Sequence, residues 1–193
     1  MARSCNFVNE IMVKLLFFIF SVLFLLYMVL PGPAEIKDFP SLPVSQTSTL
    51  EGDTIQVKNV AGYFSDNYRD FSTNYYKDQY QQNTLFPFPP LRLNYPPEFA
   101  FTAIKDQTQS TYLEEFVYPL RDSLFVNGLE PFTTEGKPRF RGAIEFEVGG
   151  NTYDTKVTLR YYPSNLAIRL VVWAGITTAI YLLWKTGKEV LSA

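Results

Sequence analysis

Two long runs of apolar residues, one near each end of the chain, constrain its fold more than any other feature. The first covers residues 11–30 and the second covers residues 166–184. A helix of twenty residues rises about 30 Å, which matches the hydrocarbon thickness of a bilayer. We therefore predict two transmembrane helices, with the residues between them forming a domain held at a membrane surface.

The first run is interpreted as an uncleaved signal anchor. Its one charge, Lys14, lies near its start, where the side chain can extend to the lipid headgroups. Pro31 follows directly and ends the helix. A signal peptide cleaved after Ala34 is the alternative, but the uncharged stretch 15–30 is long for the apolar region of a signal peptide.

The second run ends in residues typical of a membrane interface. Trp184 closes the run, and Lys185 and Lys188 follow it. Gly175 and Ala179 are four residues apart, and small residues at this spacing allow another helix to approach closely in lipid. We predict that Gly175 and Ala179 form a helix-contact face.

Charged residues near the two chain ends predict the orientation. Arg3 and Lys14 lie at one end and Lys185 and Lys188 at the other, and short flanking segments rich in Lys and Arg stay on the cytoplasmic side. Both termini are therefore predicted to be cytoplasmic, so that residues 31–164 lie in the periplasm or outside the cell. The domain lacks an Asn-X-Ser/Thr acceptor, which favours a bacterial inner membrane.

These assignments divide the chain into six predicted segments. They are a cytoplasmic tail (1–10), transmembrane helix 1 (11–30), a proline-rich tether (31–53), an extracytoplasmic domain (54–164), transmembrane helix 2 (166–184) and a second cytoplasmic tail (185–193).

The periodicity of the central segment predicts an α+β fold. Helices are expected over residues 65–81, with Ser65 as the N-cap, and over 112–126, where a capping-box pattern includes Glu114. Apolar residues at i, i+3 and i+4 support the second helix. Strands are expected over 54–60 and 98–105.

A hairpin over residues 142–162 completes the predicted domain. With Gly150 and Asn151 as a two-residue turn, Val148 pairs with Tyr153 and apolar residues share one face. The domain is then a small, mostly antiparallel sheet with helices on one face, flanked by N- and C-terminal transmembrane helices.

Composition restricts the chemistry available to the chain. It has no histidine, and its single cysteine, Cys5, precedes the first apolar run. The commonest metal ligand and general base at neutral pH are therefore missing, and the domain contains no thiol. We expect no enzymatic activity, no cofactor and no metal site. The net charge of −2 gives no reason to expect nucleic-acid binding.

Tyrosine is the most distinctive residue of the domain, because 13 occur in the chain and most lie between the apolar runs. Tyrosine is enriched at protein interfaces. We predict an interaction surface formed by Tyr76, Tyr80, Tyr95 and Tyr118. The alternative is that tyrosines of the domain pack in the core or at its edge, a role expected for Tyr68, Tyr75, Tyr112 and Tyr153. The expected partners are membrane lipids, other membrane or envelope proteins, or further copies of this chain.

These features favour a non-enzymatic membrane scaffold or accessory subunit whose domain makes protein–protein contacts. The alternative function is a membrane-anchored module that binds a glycan, a lipid or a small ligand through its tyrosine- and proline-rich surface, with the 76–97 region lining a groove.

Overall fold

The computed structural model describes residues 2–50, 53, 58–104 and 109–192. The chain forms two compact units, one of Met1–Leu30 with Ser164–Ala193 and the other of Pro31–Pro163, and each is described by itself. The helices are α1 (Ala2–Val29), α2 (Arg69–Gln82), α3 (Ala100–Ala103) and α4 (Leu166–Ser192). The strands are β1 (Ser45–Thr47), β2 (Val60–Ser65), β3 (Leu91–Tyr95), β4 (Tyr112–Val117), β5 (Ser123–Leu129), β6 (Phe146–Val148), β7 (Asn151–Tyr153) and β8 (Thr155–Tyr162).

The first unit consists of α1 and α4 packed against each other. Both are long and apolar enough to cross a membrane, over Glu10–Val29 and Leu166–Val190. The indole Nε1 of Trp173 donates a hydrogen bond of 3.0 Å to the carbonyl oxygen of Ser21, which joins the two helices near their middles. The prediction of two apolar terminal helices is confirmed, although both extend beyond the predicted runs.

The second unit is built on a six-stranded antiparallel sheet with the order β1-β2-β8-β5-β4-β3. The α+β class and the mostly antiparallel sheet are confirmed. Helix α2 packs against one face of the sheet, whereas the short α3 lies on the opposite face beside Leu113 and Phe125. The prediction of helices on one face therefore holds for α2 alone.

The core between α2 and the sheet is mainly aromatic. Tyr76 and Tyr80 of α2 are completely buried, as is Phe116 of β4, and Tyr161 of β8 is only 1% exposed. The rings of Tyr80 and Tyr161 pack edge to face, whereas the ring of Tyr76 stacks on that of Tyr63.

Residues 31–50 do not form the loose tether that we predicted. Phe39 and Leu42 are buried, and the ring centroid of Phe39 lies 5.2 Å from that of Tyr161. The hydroxyl of Tyr161 donates a 2.8 Å hydrogen bond to the carbonyl oxygen of Pro33, and β1 pairs with β2. The compact unit thus begins at Pro31, because these apolar side chains complete the core beneath α2.

The predicted helix over 112–126 is wrong, because this segment forms β4, a turn and β5. Tyr112, Glu114 and Phe116 point to the α2 face, and Leu113 points to the other face, where it is also buried. Burial of apolar residues on both faces concealed the two-residue period of a strand. The turn lies at Pro119-Leu120, where Leu120 has a φ of 63°.

The predicted strand over 98–105 is also wrong, within the residues described. A 3₁₀ turn (Pro97–Phe99) leads directly into α3, and Lys105 lies outside the described residues. Ala100 and Ile104 are buried whereas Phe99 and Phe101 are exposed. A four-residue spacing between the buried residues is helical, whereas the sequence pattern resembles the alternation of a strand.

The hairpin exists, but its register differs from the prediction by two residues. The turn is Gly149-Gly150, both with positive φ, and Val148 pairs with Asn151 rather than with Tyr153. Positive φ at both central positions defines the type I′ turn preferred in hairpins. Strand β8 then leaves the hairpin and pairs with β2 and β5 in the large sheet.

The start of β2 and the start of α2 also differ from the prediction. Residues 54–57 of the predicted strand 54–60 lie outside the described residues, and β2 begins at Val60. Ser65 ends β2 instead of capping a helix, and α2 begins at Arg69 with Tyr68 as its N-cap residue.

Candidate interaction surface

Three of the four tyrosines predicted to form an interaction surface are core residues. Tyr76 and Tyr80 are completely buried, and Tyr118 is 1% exposed. Burial raises the pKa of all three phenols above its ordinary value, because the low-polarity surroundings disfavour the phenolate. The prediction of an exposed surface is wrong for these three residues, because they pack in the core. Tyr95 is half-buried and is the one that reaches the surface.

Tyr80 shows what the buried tyrosines do. Its ring centroid lies 5.1 Å from that of Tyr118, 5.8 Å from that of Phe39 and 6.1 Å from that of Tyr161. The ring therefore joins α2 to β8, to the segment before β1 and to the residue that follows β4. Its role in the described structure is to hold these elements together.

Tyr95 belongs to a groove on the sheet face opposite α2. The groove has a volume of about 540 Å³. Four aromatic residues line it, together with smaller side chains from α3, β4 and β5. We call this the aromatic groove and define it by Tyr95, Phe99, Phe125 and Tyr162.

Contacts among the lining residues fix the shape of the aromatic groove. The ring centroid of Phe125 lies 6.1 Å from that of Tyr95 and 5.6 Å from that of Tyr162. The hydroxyl of Tyr162 donates a 2.7 Å hydrogen bond to the carbonyl oxygen of Ala103, which holds α3 beside the end of β8. Phe99 remains 53% exposed at the rim. The groove thus offers a formed apolar surface to a ligand.

Tyr95 also carries the main polar contact of the groove. Its hydroxyl donates a 2.6 Å hydrogen bond to Oε2 of Glu115 on β4. The bond to this carboxylate, with some burial, raises the pKa of Tyr95 to about 12. Tyr95 therefore presents a neutral, oriented ring at neutral pH.

Strand β3 forms the outer edge of the sheet beside the aromatic groove. Leu91 is 56% exposed and Leu93 is 41% exposed, and both share the sheet face of Tyr95 because alternate residues of a strand point the same way. An edge strand has backbone N–H and C=O groups that can pair with another strand. The β3 edge, Leu91–Tyr95, is therefore an exposed apolar sheet edge joined to the groove through Tyr95.

Prolines limit this edge to five residues. Pro89-Pro90 precede β3 and Pro96-Pro97 follow it. Because proline has no backbone N–H, a pairing strand cannot extend its ladder of hydrogen bonds through these positions. The available edge is short and has a defined start and end.

A second notable cluster lies at the start of α2, where two buried carboxylates contact arginines. The side chain of Glu114 is completely buried, and its oxygens lie 2.7 Å from Arg69 Nη2 and 2.6 Å from Arg92 Nε. Glu130, which is 3% exposed, lies 2.9 Å from Arg139 Nη2. The pairing offsets the cost of removing these carboxylates from water.

Glu130 also caps α2 from outside the helix. Its Oε1 accepts a 2.5 Å hydrogen bond from the backbone N–H of Arg69, the first residue of α2. A carboxylate at this end interacts favourably with the helix dipole. Burial nevertheless raises the pKa of Glu130, and the nearby arginines oppose that effect. The cluster positions α2 on the sheet, and the predicted capping role of Glu114 in a local helix is wrong.

The two small residues predicted to form a helix-contact face lie on the exposed side of α4. A Cβ added at Gly175 would have no atom within 4 Å, and Ala179 is also exposed. Helix α1 instead packs beside Trp173 and the buried Thr177. Gly175 and Ala179 are therefore free to contact a helix other than α1.

The β3 edge and three members of the aromatic groove were missed by the sequence interpretation. The signal for the edge was present, since paired prolines enclose a five-residue stretch in which Leu91, Leu93 and Tyr95 alternate with polar residues. Phe99, Phe125 and Tyr162 come from three separate elements, and only the sheet order brings them together.

Among the described residues, no group of three or more His, Cys, Asp or Glu could hold a metal ion. The chain matches no protein-family model, no curated protein and no solved structure. The functional argument therefore depends on the geometry of the surface itself.

Proposed function

We propose that this chain is a non-enzymatic membrane scaffold or accessory subunit, whose domain between α1 and α4 binds an envelope protein. The β3 edge with the adjoining aromatic groove is the observation that carries this proposal. The partner contributes an extended segment that pairs with Leu91–Tyr95 and inserts apolar side chains into the groove. We further propose a bacterial inner membrane with both termini cytoplasmic, following the positively charged flanks.

Strand addition, in which a partner strand pairs with an exposed sheet edge, uses both the β3 edge and the aromatic groove. Backbone hydrogen bonds along an edge supply affinity, and pockets for alternate side chains supply specificity. In β3 the alternate residues on the groove side are Leu91, Leu93 and Tyr95. A partner strand placed beside them directs its own alternate residues toward the same face, where Phe99 lies exposed.

The polar side chains of β3, which point to the α2 face, hold the sheet edge in a defined orientation. Arg92 points to the α2 face and donates a 2.7 Å hydrogen bond to Oε1 of the buried Glu114. The side chain of Asn94, on the same face, accepts a 3.0 Å hydrogen bond from Arg69. Because these bonds hold β3 from the α2 side, its opposite face is presented to a partner in a fixed position.

The second candidate function is a membrane-anchored module that binds a glycan, a lipid or another small ligand. The aromatic groove favours it, since its exposed rings are suited to stacking on a sugar or packing against an acyl chain. In this alternative the ligand occupies the groove without pairing along β3. Replacing Leu93, which is not a groove-lining residue, then leaves ligand binding unchanged.

Co-purification of the full chain from its native membranes tests the proposal. We expect a specific protein partner to remain bound to the wild-type chain and to be lost from Leu93→Lys, because a lysine on an edge strand opposes strand pairing. Ile144→Lys is the matched control, since Ile144 is 74% exposed and lies outside the β3 edge and the groove. Equal partner retention by both variants would reject the β3 edge as the contact.

A further inference from the structure

A second groove lies between α1 and α4, near the ends that carry the chain termini. It has a volume of about 650 Å³ and includes residues of both helices. Its apolar wall contains Phe17, Tyr181 and Trp184. The ring centroid of Tyr181 lies 6.5 Å from that of Phe17 and 6.1 Å from that of Trp184, so the wall is continuous from one helix to the other.

Lysines line the terminal end of the same groove. Lys14 of α1 and Lys188 of α4 each lie 3.0 Å from the same oxygen, Oε1 of Glu10. Two ammonium groups therefore share one carboxylate. Lys185 also lines the groove, and within the described part of the chain it has no carboxylate partner. Among the described residues that line the groove, Glu189 included, three lysines and two glutamates give a charge of +1.

This arrangement places positive charge directly beside an apolar wall on two candidate membrane-spanning helices. A phospholipid has the complementary arrangement, with a phosphate at one end and acyl chains at the other. Basic pockets between transmembrane helices on the cytoplasmic side bind anionic lipid headgroups, and a lysine near the surface contributes about 1 kcal/mol to this attraction. Trp and Tyr side chains are enriched at the headgroup level, where the phosphate end of a lipid meets its acyl chains.

We propose that the groove between α1 and α4 binds one anionic phospholipid of the cytoplasmic leaflet. Its phosphate lies beside Lys185, Lys14 and Lys188, and an acyl chain runs along Phe17 and Tyr181. The negative charge of one bound phosphate complements the positive charge of the described lining. The inference rests on the proposed membrane insertion of α1 and α4, but it is independent of the β3 edge.

Lipid retention by the full chain tests this inference. The chain is reconstituted in vesicles of equal phosphatidylglycerol and phosphatidylcholine, extracted in mild detergent, and its bound lipids are counted by native mass spectrometry. We expect one retained phosphatidylglycerol, with a preference over phosphatidylcholine that falls about fivefold in Lys185→Gln. Lys185→Arg keeps the charge and is expected to keep the preference.

The control variant is Lys37→Gln, which removes the same charge from an exposed position in the other unit. It is expected to retain lipid like the wild-type chain. No preference for phosphatidylglycerol in the wild-type chain, or an equal loss in Lys37→Gln and Lys185→Gln, would overturn the inference. Resistance of the chain to carbonate extraction is measured in parallel, so that a failure of membrane insertion is distinguished from a failure of lipid selection.

A photo-crosslinking residue in place of Phe17 identifies the occupant directly in native membranes. A lipid adduct on the chain is expected. A crosslink to another protein, with no lipid adduct, would show that a helix fills the groove and would reject the lipid.

Discussion

The hydroxyl of Tyr95 donates a 2.6 Å hydrogen bond to Oε2 of Glu115, which joins the edge strand β3 to its neighbour β4 beside the aromatic groove. The bond connects the exposed edge to a buried part of the sheet, because the adjacent residues Glu114 and Phe116 are completely buried. The β3 edge is thus held in position before any partner binds, which lowers the entropic cost of binding.

This bond predicts a loss of stability at high pH. The pKa of Tyr95 is raised from 10.0 to about 12 in the folded protein, so the folded state holds the proton more tightly than the unfolded state. The stabilisation is complete below pH 10 and is lost as the pH rises to 12. Unfolding by denaturant at pH 9 and at pH 12 is expected to show a smaller difference in Tyr95→Phe than in the wild type. An identical difference in the two proteins would contradict the role of this bond.

Removal of the buried carboxylate of Glu114 is expected to destabilise the domain. Glu114→Gln leaves Arg69 and Arg92, whose side chains are 35% and 42% exposed, without their anionic partner, and the loss of hydrogen bonds to a charged group costs about 1.5–3 kcal/mol. Glu135→Gln, at an exposed position, is the control and is expected to change stability by less than about 0.5 kcal/mol. Denaturant unfolding of the two variants measures the difference, and equal stability would show that the cluster is not required for the fold.

A side chain at Gly128 is expected to destabilise the domain. A Cβ at this position would overlap the ring of Tyr112 on the adjacent strand, so Gly128→Ala forces the ring or the strand to move. The expected loss of stability is about 1–3 kcal/mol, the usual cost of overpacking a core. Replacing Tyr112 with Leu in the same chain should recover part of that loss. Thermal unfolding of the two single variants and the double variant measures the coupling between the positions. If the stability changes of the single variants simply add in the double variant, a direct clash is contradicted.

The sequence predicted the apolar terminal helices, the α+β class and the approximate position of α2, because these have long or strongly periodic patterns. The predicted helix over 112–126 is wrong, because residues on both faces of β4 and β5 are buried. Apolar residues such as Leu113 and Phe116 therefore occur at a spacing that also fits a helix. Pro119 argues against a continuous helix here, and in the structure it lies in the turn between β4 and β5.

The candidate surface was harder to predict than the fold class. Tyrosine is amphipathic, so composition alone does not separate Tyr80 in the core from Tyr95 at the surface. The distinction depends on tertiary packing, since Phe39 and Tyr161 enclose Tyr80 from distant parts of the chain. The aromatic groove likewise depends on a strand order that local patterns do not specify.

The exposed small residues of α4 predict lateral helix association. Gly175→Leu is expected to weaken self-association or partner association in the membrane, since a larger side chain prevents close approach. Packing with α1 should be unaffected, because no atom lies within 4 Å of a Cβ at Gly175. Leu183→Ala, at a position 71% exposed, is the control. Förster transfer between labelled chains in vesicles measures association, and unchanged transfer in Gly175→Leu would exclude this face.

Site-specific photo-crosslinking from β3 tests the proposed function most directly. A photo-reactive residue replaces Leu93 in one version of the full chain and Ile144 in another, and both are irradiated in native membranes. We predict a discrete crosslinked protein from position 93 and none from position 144. Crosslinks to lipid or water alone from position 93, or the same protein adduct from both positions, would contradict a protein-binding β3 edge.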